Sequence, residues 1–273
     1  MRVLVLGDLH GNPWALRAVD AAARAGGPVD AVLCTGDLVD YGPSPKACVD
    51  WVRRYATACV RGNHDHNVAQ RVPPPSGTPG GGGLRDLAAA ARPRQWDELT
   101  AADLRYLARL PVTDRVTLVR TTFLLVHGSP ADPLDDYAPA CPDGWSARLA
   151  EPVDVVLCGH THVPYTVRVA DGPAAGALVV NPGSVGQPRD GDPRASYATI
   201  ELAEGESPRV THHRVAYETG PAVAEVTRCG LPAAEKELFV SLVTTGRKNR
   251  HAGSANVATP RPANRRAITP RPR

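Results

Sequence analysis

Short aliphatic runs recur along this chain, and each ends abruptly in a glycine or a polar residue. Continuous apolar runs of this length are typical of strands that are buried on both faces. Segments with helical periodicity lie between several of the runs, so the pattern predicts an α/β layered fold. The predicted strands are Val3–Leu6, Ala31–Cys34, Thr57–Val60, Thr122–Val126, Val153–Cys158, Tyr165–Ala170, Ala177–Val180, Ser196–Leu202 and Arg209–Val215, and the predicted helices include Pro13–Ala25, Pro45–Arg54 and a last segment near Ala222–Leu242.

An excursion interrupts this alternation. Pro73–Gly83 consists almost entirely of proline and glycine, which cannot form a regular element. A helical segment is predicted to follow at Leu84–Leu110, within which Thr100 and Asp103 have the spacing of an N-terminal capping box. We expect this insertion, at about residues 67–111, to cover part of a site.

Length and composition favour one large domain, which we assign to residues 1–245. The chain has 273 residues, of which 42% are hydrophobic, enough to bury a full core without a structural metal. No apolar run approaches the roughly 18 to 20 residues of a membrane span, and Arg2–Leu6 meets Asp8 too soon for a secretory segment. The six scattered cysteines form no CxxC pair. We therefore expect a cytoplasmic protein with reduced thiols and no membrane partner.

Charge is distributed unevenly along the chain. From Arg247 to the end there are eight basic residues and no acidic one, whereas the remainder has 23 basic and 28 acidic residues. A body with a net charge of −5 has no general affinity for nucleic acid, so any such affinity would lie in the tail or in local patches. We expect residues 246–273 to be disordered, either as a solvated extension or as an anchor for an anionic partner.

Five polar clusters follow the ends of predicted strands, and each contains residue types that bind metals. Ligands of open α/β sheets bind at the carboxyl ends of strands, so side chains that are distant in sequence converge there. Asp8 and His10 are two residues apart, as are His160 and His162, and we expect an extended backbone to direct each pair to one metal centre. The clusters are Gly7–Asn12, Gly36–Asp40, Gly62–Asp65, His127–Gly128 and Gly159–His162.

The residue types in these clusters narrow the choice of metal. Mixed carboxylate, imidazole and amide ligands suit Mn²⁺, Fe or Zn²⁺ better than Ca²⁺, and the lack of cysteine ligands argues against a structural zinc site. Taken singly, an Asp-x-His is more often structural, and Gly-Asn-His-Asp could simply be a turn. The occurrence of all five clusters in order is what indicates a metal-dependent site.

The clusters resemble the blocks of the calcineurin-like metallophosphoesterases, which run D-x-H, G-D-x-x-D, G-N-H-[DE], H and G-H-x-H. The resemblance spans roughly residues 1–217. Within the family, Gly36–Pro43, His127–Pro133 and Asn181–Pro188 look like the small bacterial and archaeal phosphodiesterase branch near YfcE-like proteins. The resemblance implies an αββα sandwich, in which two mixed β-sheets are flanked by helices and carry a two-metal site at their upper edge.

The resemblance also implies a role for each matching residue. Asp37 would bridge two divalent ions, with Mn²⁺ favoured over Fe, Zn²⁺, Ni²⁺ or Mg²⁺. His64 would be the catalytic histidine and Asp40 would orient it, while Asn12 would either contact substrate or cap the following helix. One metal would be held by Asp8, His10 and His162, and the other by Asn63, His127 and His160.

The implied reaction is hydrolysis of a phosphate ester by a hydroxide that bridges the metals and attacks phosphorus. We expect a small-molecule mono- or diester, such as a nucleotide, a cyclic nucleotide or a dinucleoside polyphosphate. The alternative is a nuclease that holds nucleic acid with its basic tail. A protein phosphatase is disfavoured because Tyr41 stands where those enzymes have a phosphate-binding arginine, and a non-catalytic scaffold would have little reason to retain all seven ligands.

Overall fold

The structure is a computed structural model that describes residues 1–73 and 83–248. Strands and helices alternate through most of this part of the chain. The strands are β1 (Arg2–Leu6), β2 (Ala31–Cys34), β3 (Ala58–Cys59), β4 (Thr113–Leu118), β5 (Thr121–Val126), β6 (Val155–Leu157), β7 (Tyr165–Arg168), β8 (Leu178–Asn181), β9 (Ala195–Glu201) and β10 (Arg209–Val215). The helices are α1 (Pro13–Ala25), α2 (Pro45–Tyr55), α3 (Asn63–Ala69), α4 (Leu84–Glu98), α5 (Ala101–Arg109), α6 (Pro142–Ser146), α7 (Gly220–Arg228) and α8 (Ala233–Thr245).

The strands form two mixed sheets of five strands each. The first sheet has the order β10-β9-β1-β2-β3, and the second has the order β4-β5-β6-β8-β7. In the first sheet β1, β2 and β3 are parallel, and in the second sheet β5, β6 and β8 are parallel. The parallel strands of each sheet therefore have their carboxyl ends on the same side, where the loops that follow them can meet.

The two sheets pack face to face around a shared apolar core. Val3 and Val5 of the first sheet and Phe123 and Leu125 of the second belong to one buried cluster. The alternate residues of β1 point to the other face and pack with α1 and α2. Trp145 of α6 is fully buried in the cluster on the outer face of the second sheet. The fold is the α/β sandwich of two mixed sheets flanked by helices that the sequence predicts.

Some elements differ from the predictions. Strand β4 was not predicted, because exposed and half-buried residues alternate along this edge strand and no apolar run marks it. The segment Gly62–Asp65, for which a turn was the alternative, begins helix α3 because Asp65 accepts a hydrogen bond from the N–H of Gly62. The predicted helical segment near Ala222–Leu242 is two helices, separated where Gly230 has a left-handed φ of 67°.

Two predictions concern residues outside the described part of the chain. These residues are most of the proline and glycine excursion (74–82) and almost all of the basic tail (249–273). The nuclease alternative depends on the tail and therefore stays a prediction as well. The domain boundary at residue 245 stays a prediction. Within residues 1–73 and 83–248, no helix combines the length and the apolar character needed to cross a membrane. The six cysteines are unpaired.

Candidate metal centre

Loops from both sheets meet at one end of the sandwich. The N–H of Asp8 donates to the carbonyl of Gly36 at 2.9 Å, which joins the loops after β1 and β2. The N–H of Gly159 donates to the carbonyl of His127 at 2.8 Å, which joins the loops after β6 and β5. Nδ1 of His127 also lies 2.8 Å from the carbonyl oxygen of Thr35 in the first sheet. The predicted site residues are thus brought together from separate parts of the chain.

The sequence predicts an extended backbone at the paired ligands, but the structure has a left-handed backbone there. The φ angles of Asp8 and His10 are 51° and 43°, and those of His160 and His162 are 66° and 59°. Left-handed φ costs about 1–2 kcal/mol for a residue with a Cβ and persists where surrounding contacts enforce it. Asp8 and His10 share a cluster, whereas His160 and His162 lie in different clusters, the grouping that the family resemblance implies.

The first cluster of groups able to hold a metal comprises Asp8, His10 and His162. Nε2 of His10 lies 3.1 Å from Nε2 of His162, and Oδ1 of Asp8 lies 3.2 Å from the same His162 nitrogen. All three side chains are buried. Their ligand atoms therefore surround one small volume beneath the protein surface.

The second cluster comprises Asp37, His127 and His160. Oδ2 of Asp37 lies 3.1 Å from Nε2 of His127, which is itself 3.2 Å from Nδ1 of His160. The same carboxylate oxygen is 3.7 Å from Nε2 of His10 in the first cluster. Asp37 therefore stands between the two clusters, in the position from which one carboxylate can contact two ions.

Backbone carbonyls fix the orientation of three of the four histidines. Nδ1 of His10 donates to the carbonyl of Val39 at 3.1 Å, and Nδ1 of His162 donates to the carbonyl of Gln187 at 2.6 Å. His127 makes the corresponding bond to the first sheet. A histidine that donates through one ring nitrogen presents the other to a cation, and this arrangement is usual for metal ligands.

The pKa values of the site residues are shifted by burial and by the interaction between Asp37 and His127. Burial raises the pKa of Asp8 to about 7 and lowers the pKa values of His10 and His162 well below the ordinary value. Burial also acts to raise the pKa of Asp37, but His127, His64 and His10 together outweigh it and hold the pKa of Asp37 well below its usual range. Burial acts to lower the pKa of His127, but Asp37, Asp8 and the carbonyl of Thr35 together raise it to about 10. Asp37 and His127 therefore favour each other's charged forms.

His64 and Asp40 form a hydrogen-bonded pair beside the clusters. Nδ1 of His64 is 2.8 Å from Oδ2 of Asp40, and the His64 ring centroid is 5.1 Å from that of His10. Nε of Arg92 donates to the same Asp40 oxygen at 3.0 Å, and the side chain of Gln95 accepts from the Asp40 N–H at 3.1 Å. Arg92 and Gln95 lie on α4, so the predicted insertion reaches the site by fastening the loop that carries Asp40.

Sequence reasoning missed three residues that support the site. Asp65 accepts hydrogen bonds from the N–H groups of Asp37 and Gly62 at 2.8 and 3.1 Å, and so fixes the backbone at the central carboxylate. Its place in the G-N-H-[DE] block was the available signal. No signal in the sequence marked Arg92 or Gln95. Both contact Asp40, which lies 52 positions before Arg92 and 55 positions before Gln95 in the chain.

Comparison with known proteins places this geometry in a family. Residues 1–205 match the calcineurin-like phosphoesterase superfamily domain. The chain belongs to that superfamily. A metallophosphoesterase from Sphaerobacter thermophilus is 33% identical, and its structure matches 89% of this chain and 99% of its own with a TM-score of 0.71. An uncharacterized protein of Methanocaldococcus jannaschii is 27% identical over 241 residues, which are 84% of this chain and 93% of that protein. The similar structures include the phosphoesterase YfcE of E. coli, at 20% identity over 79% of this chain and 100% of that one, with a TM-score of 0.42.

The side chain of Asn12 is buried and makes hydrogen bonds only to other residues of the chain among those that the structure describes. Its Oδ1 accepts from the N–H of Ala15 at 3.2 Å, which makes Asn12 the N-cap of α1. Its Nδ2 donates to the carbonyl of Gly186 and to the hydroxyl of Tyr217, both at 3.0 Å. These contacts support the capping alternative, and we do not propose a substrate contact for Asn12.

The donor atoms of this phosphoesterase fit divalent cations. Oδ2 of Asp8 and Oδ1 of Asn63 are buried and lack a hydrogen-bond partner within residues 1–73 and 83–248. Buried polar atoms are normally satisfied, and an oxygen without a hydrogen-bond donor is suited to a cation. Carboxylate, amide and imidazole donors together match Mn²⁺, Fe, Zn²⁺, Ni²⁺ or Mg²⁺.

Proposed function

We propose that this phosphoesterase hydrolyses a phosphate mono- or diester of a small molecule and depends on two divalent ions. The observation that carries the proposal is the position of Asp37, one oxygen of which faces His10 of the first cluster and His127 of the second. Mn²⁺ is the first choice of metal. The residues that would hold the two ions are Asp8, His10, Asp37, Asn63, His127, His160 and His162.

The charge of the proposed ligands suits a phosphate. When bound, two divalent ions supply four positive charges and lower the pKa of the water that attacks phosphorus. The carboxylates of Asp8 and Asp37 offset only two of these charges, and the other five ligands are neutral in the form that binds a metal. The remaining positive field favours the phosphate and the negative charge that develops on it in the transition state.

His64 is the residue suited to proton transfer. Its Nδ1 is engaged by Asp40, which sets the tautomer and leaves Nε2 for an oxygen of the substrate. Arg92 donates to the same Asp40 oxygen and Gln95 accepts from the Asp40 N–H, so α4 helps to fix the orientation of His64. In this role His64 steadies the phosphate and gives a proton to the leaving oxygen.

Metal removal and restoration test the proposal. Protein stripped with a chelator should be inactive, and Mn²⁺, Fe²⁺, Zn²⁺, Ni²⁺ or Mg²⁺ added separately should restore hydrolysis of at least one ester. The panel contains a monoester, a diester, 2′,3′-cyclic nucleotides and a dinucleoside polyphosphate. Hydrolysis that proceeds equally well without metal would contradict the proposal.

Replacement of His64 tests its role. His64→Ala should lower kcat by about 100- to 10,000-fold while metal content stays the same. The matched control is His66→Ala, because His66 lies on the same helix and its ring Nδ1 has no hydrogen-bond partner in the described part of the chain. The control should keep the wild-type rate. Equal rates for the two variants would remove His64 from the mechanism.

A further inference from the structure

Arg189 is a guanidinium without a counter-ion at the candidate metal centre. It lies in the loop between β8 and β9, where the other arginine, Arg194, is paired with Asp192 at 2.7 Å. Nη2 of Arg189 donates to Oε1 of Gln187 at 2.7 Å, and its Nε is buried without a partner. Within residues 1–73 and 83–248 no carboxylate forms a salt bridge with it.

The surroundings of Arg189 place it beside the proposed catalytic residues. Its guanidinium carbon is 5.7 Å from the centroid of the Tyr41 ring, and that ring is 4.5 Å from the ring of His64. Gln187, which binds the Arg189 side chain, also accepts the hydrogen bond from His162. Gln187 therefore binds Arg189 through its side chain and orients a proposed metal ligand through its backbone. The positive charge of Arg189 lies beside the ring of Tyr41. In the protein phosphatases the position of Tyr41 is occupied by a phosphate-binding arginine.

The residues after α8 add positive charge on the same side. The N–H of Gly191 donates to the carbonyl of Gly246 at 3.0 Å, which fastens the end of α8 to the loop of Arg189. A Cβ at Gly191 would lie only 3.1 Å from Nε of Arg247, so that guanidinium packs against the loop. Lys248 follows Arg247 in sequence, so this segment carries two adjacent basic residues.

A partly buried cation with no carboxylate partner is suited to an anionic ligand. In the proposed function the two metal ions and His64 already account for the reacting phosphate. Arg189 and His64 contact the same ring, and His64 is the residue assigned to the leaving oxygen. A second phosphate attached to that oxygen would therefore lie on the side of the site where Arg189 is found.

We propose that Arg189 binds a second phosphate group of the substrate, on the leaving-group side of the phosphorus that reacts. The substrate class is then a compound with condensed phosphates, such as a nucleoside or dinucleoside polyphosphate. In the reaction, water loses one proton to solvent as its oxygen bonds to phosphorus, and the bond from phosphorus to the bridging oxygen breaks. The bridging oxygen leaves on the second phosphate with a proton from His64, which takes up another proton from solvent before the next turnover. This inference rests on the proposed function and narrows its substrate.

A comparison of two substrates tests the inference. Values of kcat and KM are measured with bis(4-nitrophenyl) phosphate, which has one phosphate, and with diadenosine tetraphosphate. Arg189→Gln should reduce kcat/KM for the tetraphosphate about 10- to 100-fold more than for the single phosphate, mainly through KM. Arg189→Lys should recover part of the loss, because it restores the charge without the planar fork. Equal losses on both substrates, or no loss on either, would overturn the inference.

Arg194→Gln is the matched control, since it removes the same charge from the same loop at a position already paired with Asp192. We expect it to leave both rates within about twofold of wild type. A direct measurement of binding separates this inference from the proposed function. Inorganic tripolyphosphate is titrated into metal-free protein by calorimetry, where Arg189→Gln should weaken binding about tenfold more than Arg194→Gln.

The combined results separate the two proposals. If the wild type hydrolyses no ester of the four-substrate panel with any metal but Arg189→Gln still loses tripolyphosphate binding, the proposed function fails and the second phosphate site stands. If metal-dependent hydrolysis is present but Arg189→Gln behaves like Arg194→Gln in both assays, the proposed function stands and the second phosphate site is refuted.

Discussion

The ion pair between Asp40 and Arg92 is the buried contact through which α4 supports the site. Both side chains are almost fully buried, and Oδ2 and Nε are 3.0 Å apart. Breaking a buried pair by removing one partner typically costs about 3–5 kcal/mol, because the other charge is left uncompensated. His64 and the N–H of Tyr41 still contact the carboxylate in Arg92→Met. We therefore expect a loss near the lower limit, about 3 kcal/mol.

Unfolding measurements test this magnitude. For a domain of this size each kcal/mol lowers Tm by about 2–4 °C, so Arg92→Met should lower it by about 6–12 °C. Arg94→Met is the matched control on the same helix. Arg94 is 39% exposed and approaches Glu98 and Glu225 at 3.8 and 3.5 Å, and surface pairs of this kind contribute about 0–1 kcal/mol.

A double-mutant cycle decides whether the loss comes from this ion pair. In an Asp40→Asn background, Arg92→Met should cost less than in the wild type, by about 1.5 kcal/mol or more, because the buried charge is already absent. The free energies of unfolding are measured by urea titration of the four proteins. Equal costs in both backgrounds would refute the reasoning, as would an Arg94→Met loss as large as that of Arg92→Met.

Two further predictions concern the metal ligands. Gly62→Ala should reduce the metal content below two ions per chain, because the added Cβ would lie 2.0 Å from Oδ1 of Asp37. Mass spectrometry of bound metal measures the content. The control is Gly220→Ala, which should keep the full metal content because the space around Gly220 is open. Metal binding should release protons and should strengthen as pH rises from about 6 to 8. Burial acts to lower the pKa of His127, but its neighbours, Asp37 foremost, raise that pKa to about 10. A protonated His127 must lose its proton before it can bind a metal. Calorimetry in buffers of different ionisation enthalpy measures the release, and an affinity independent of pH would contradict the prediction.

The apolar runs were sufficient to predict most of the strands, and the family resemblance implied their arrangement in two sheets with the proposed ligands at one edge. The apolar runs at β1 and β5 are buried on both faces, so their signal is continuous, and the polar clusters after them mark the carboxyl ends of parallel strands. Strand β4 gave no such signal, because it lies at a sheet edge with alternating exposure. The order of the polar clusters, more than any single one of them, predicted where they would converge.

Local conformation and long-range support were less predictable. The expectation of an extended backbone failed at Asp8, His10, His160 and His162, all of which have a left-handed φ. The side chains of His160 and His162 lie in different clusters, where the N–H of His160 donates to Asp8 and the ring of His162 donates to the carbonyl of Gln187. No signal in the sequence marked Arg92 or Arg189, because the groups that they contact are contributed by distant parts of the chain.

Anomalous diffraction from crystals loaded with Mn²⁺ tests the central claim, that Asp37 lies between two metal ions. We predict two peaks about 3.5–4 Å apart, one beside Asp8, His10 and His162 and the other beside His127 and His160, both in contact with Asp37. A single peak, or two peaks of which only one contacts Asp37, would contradict the account.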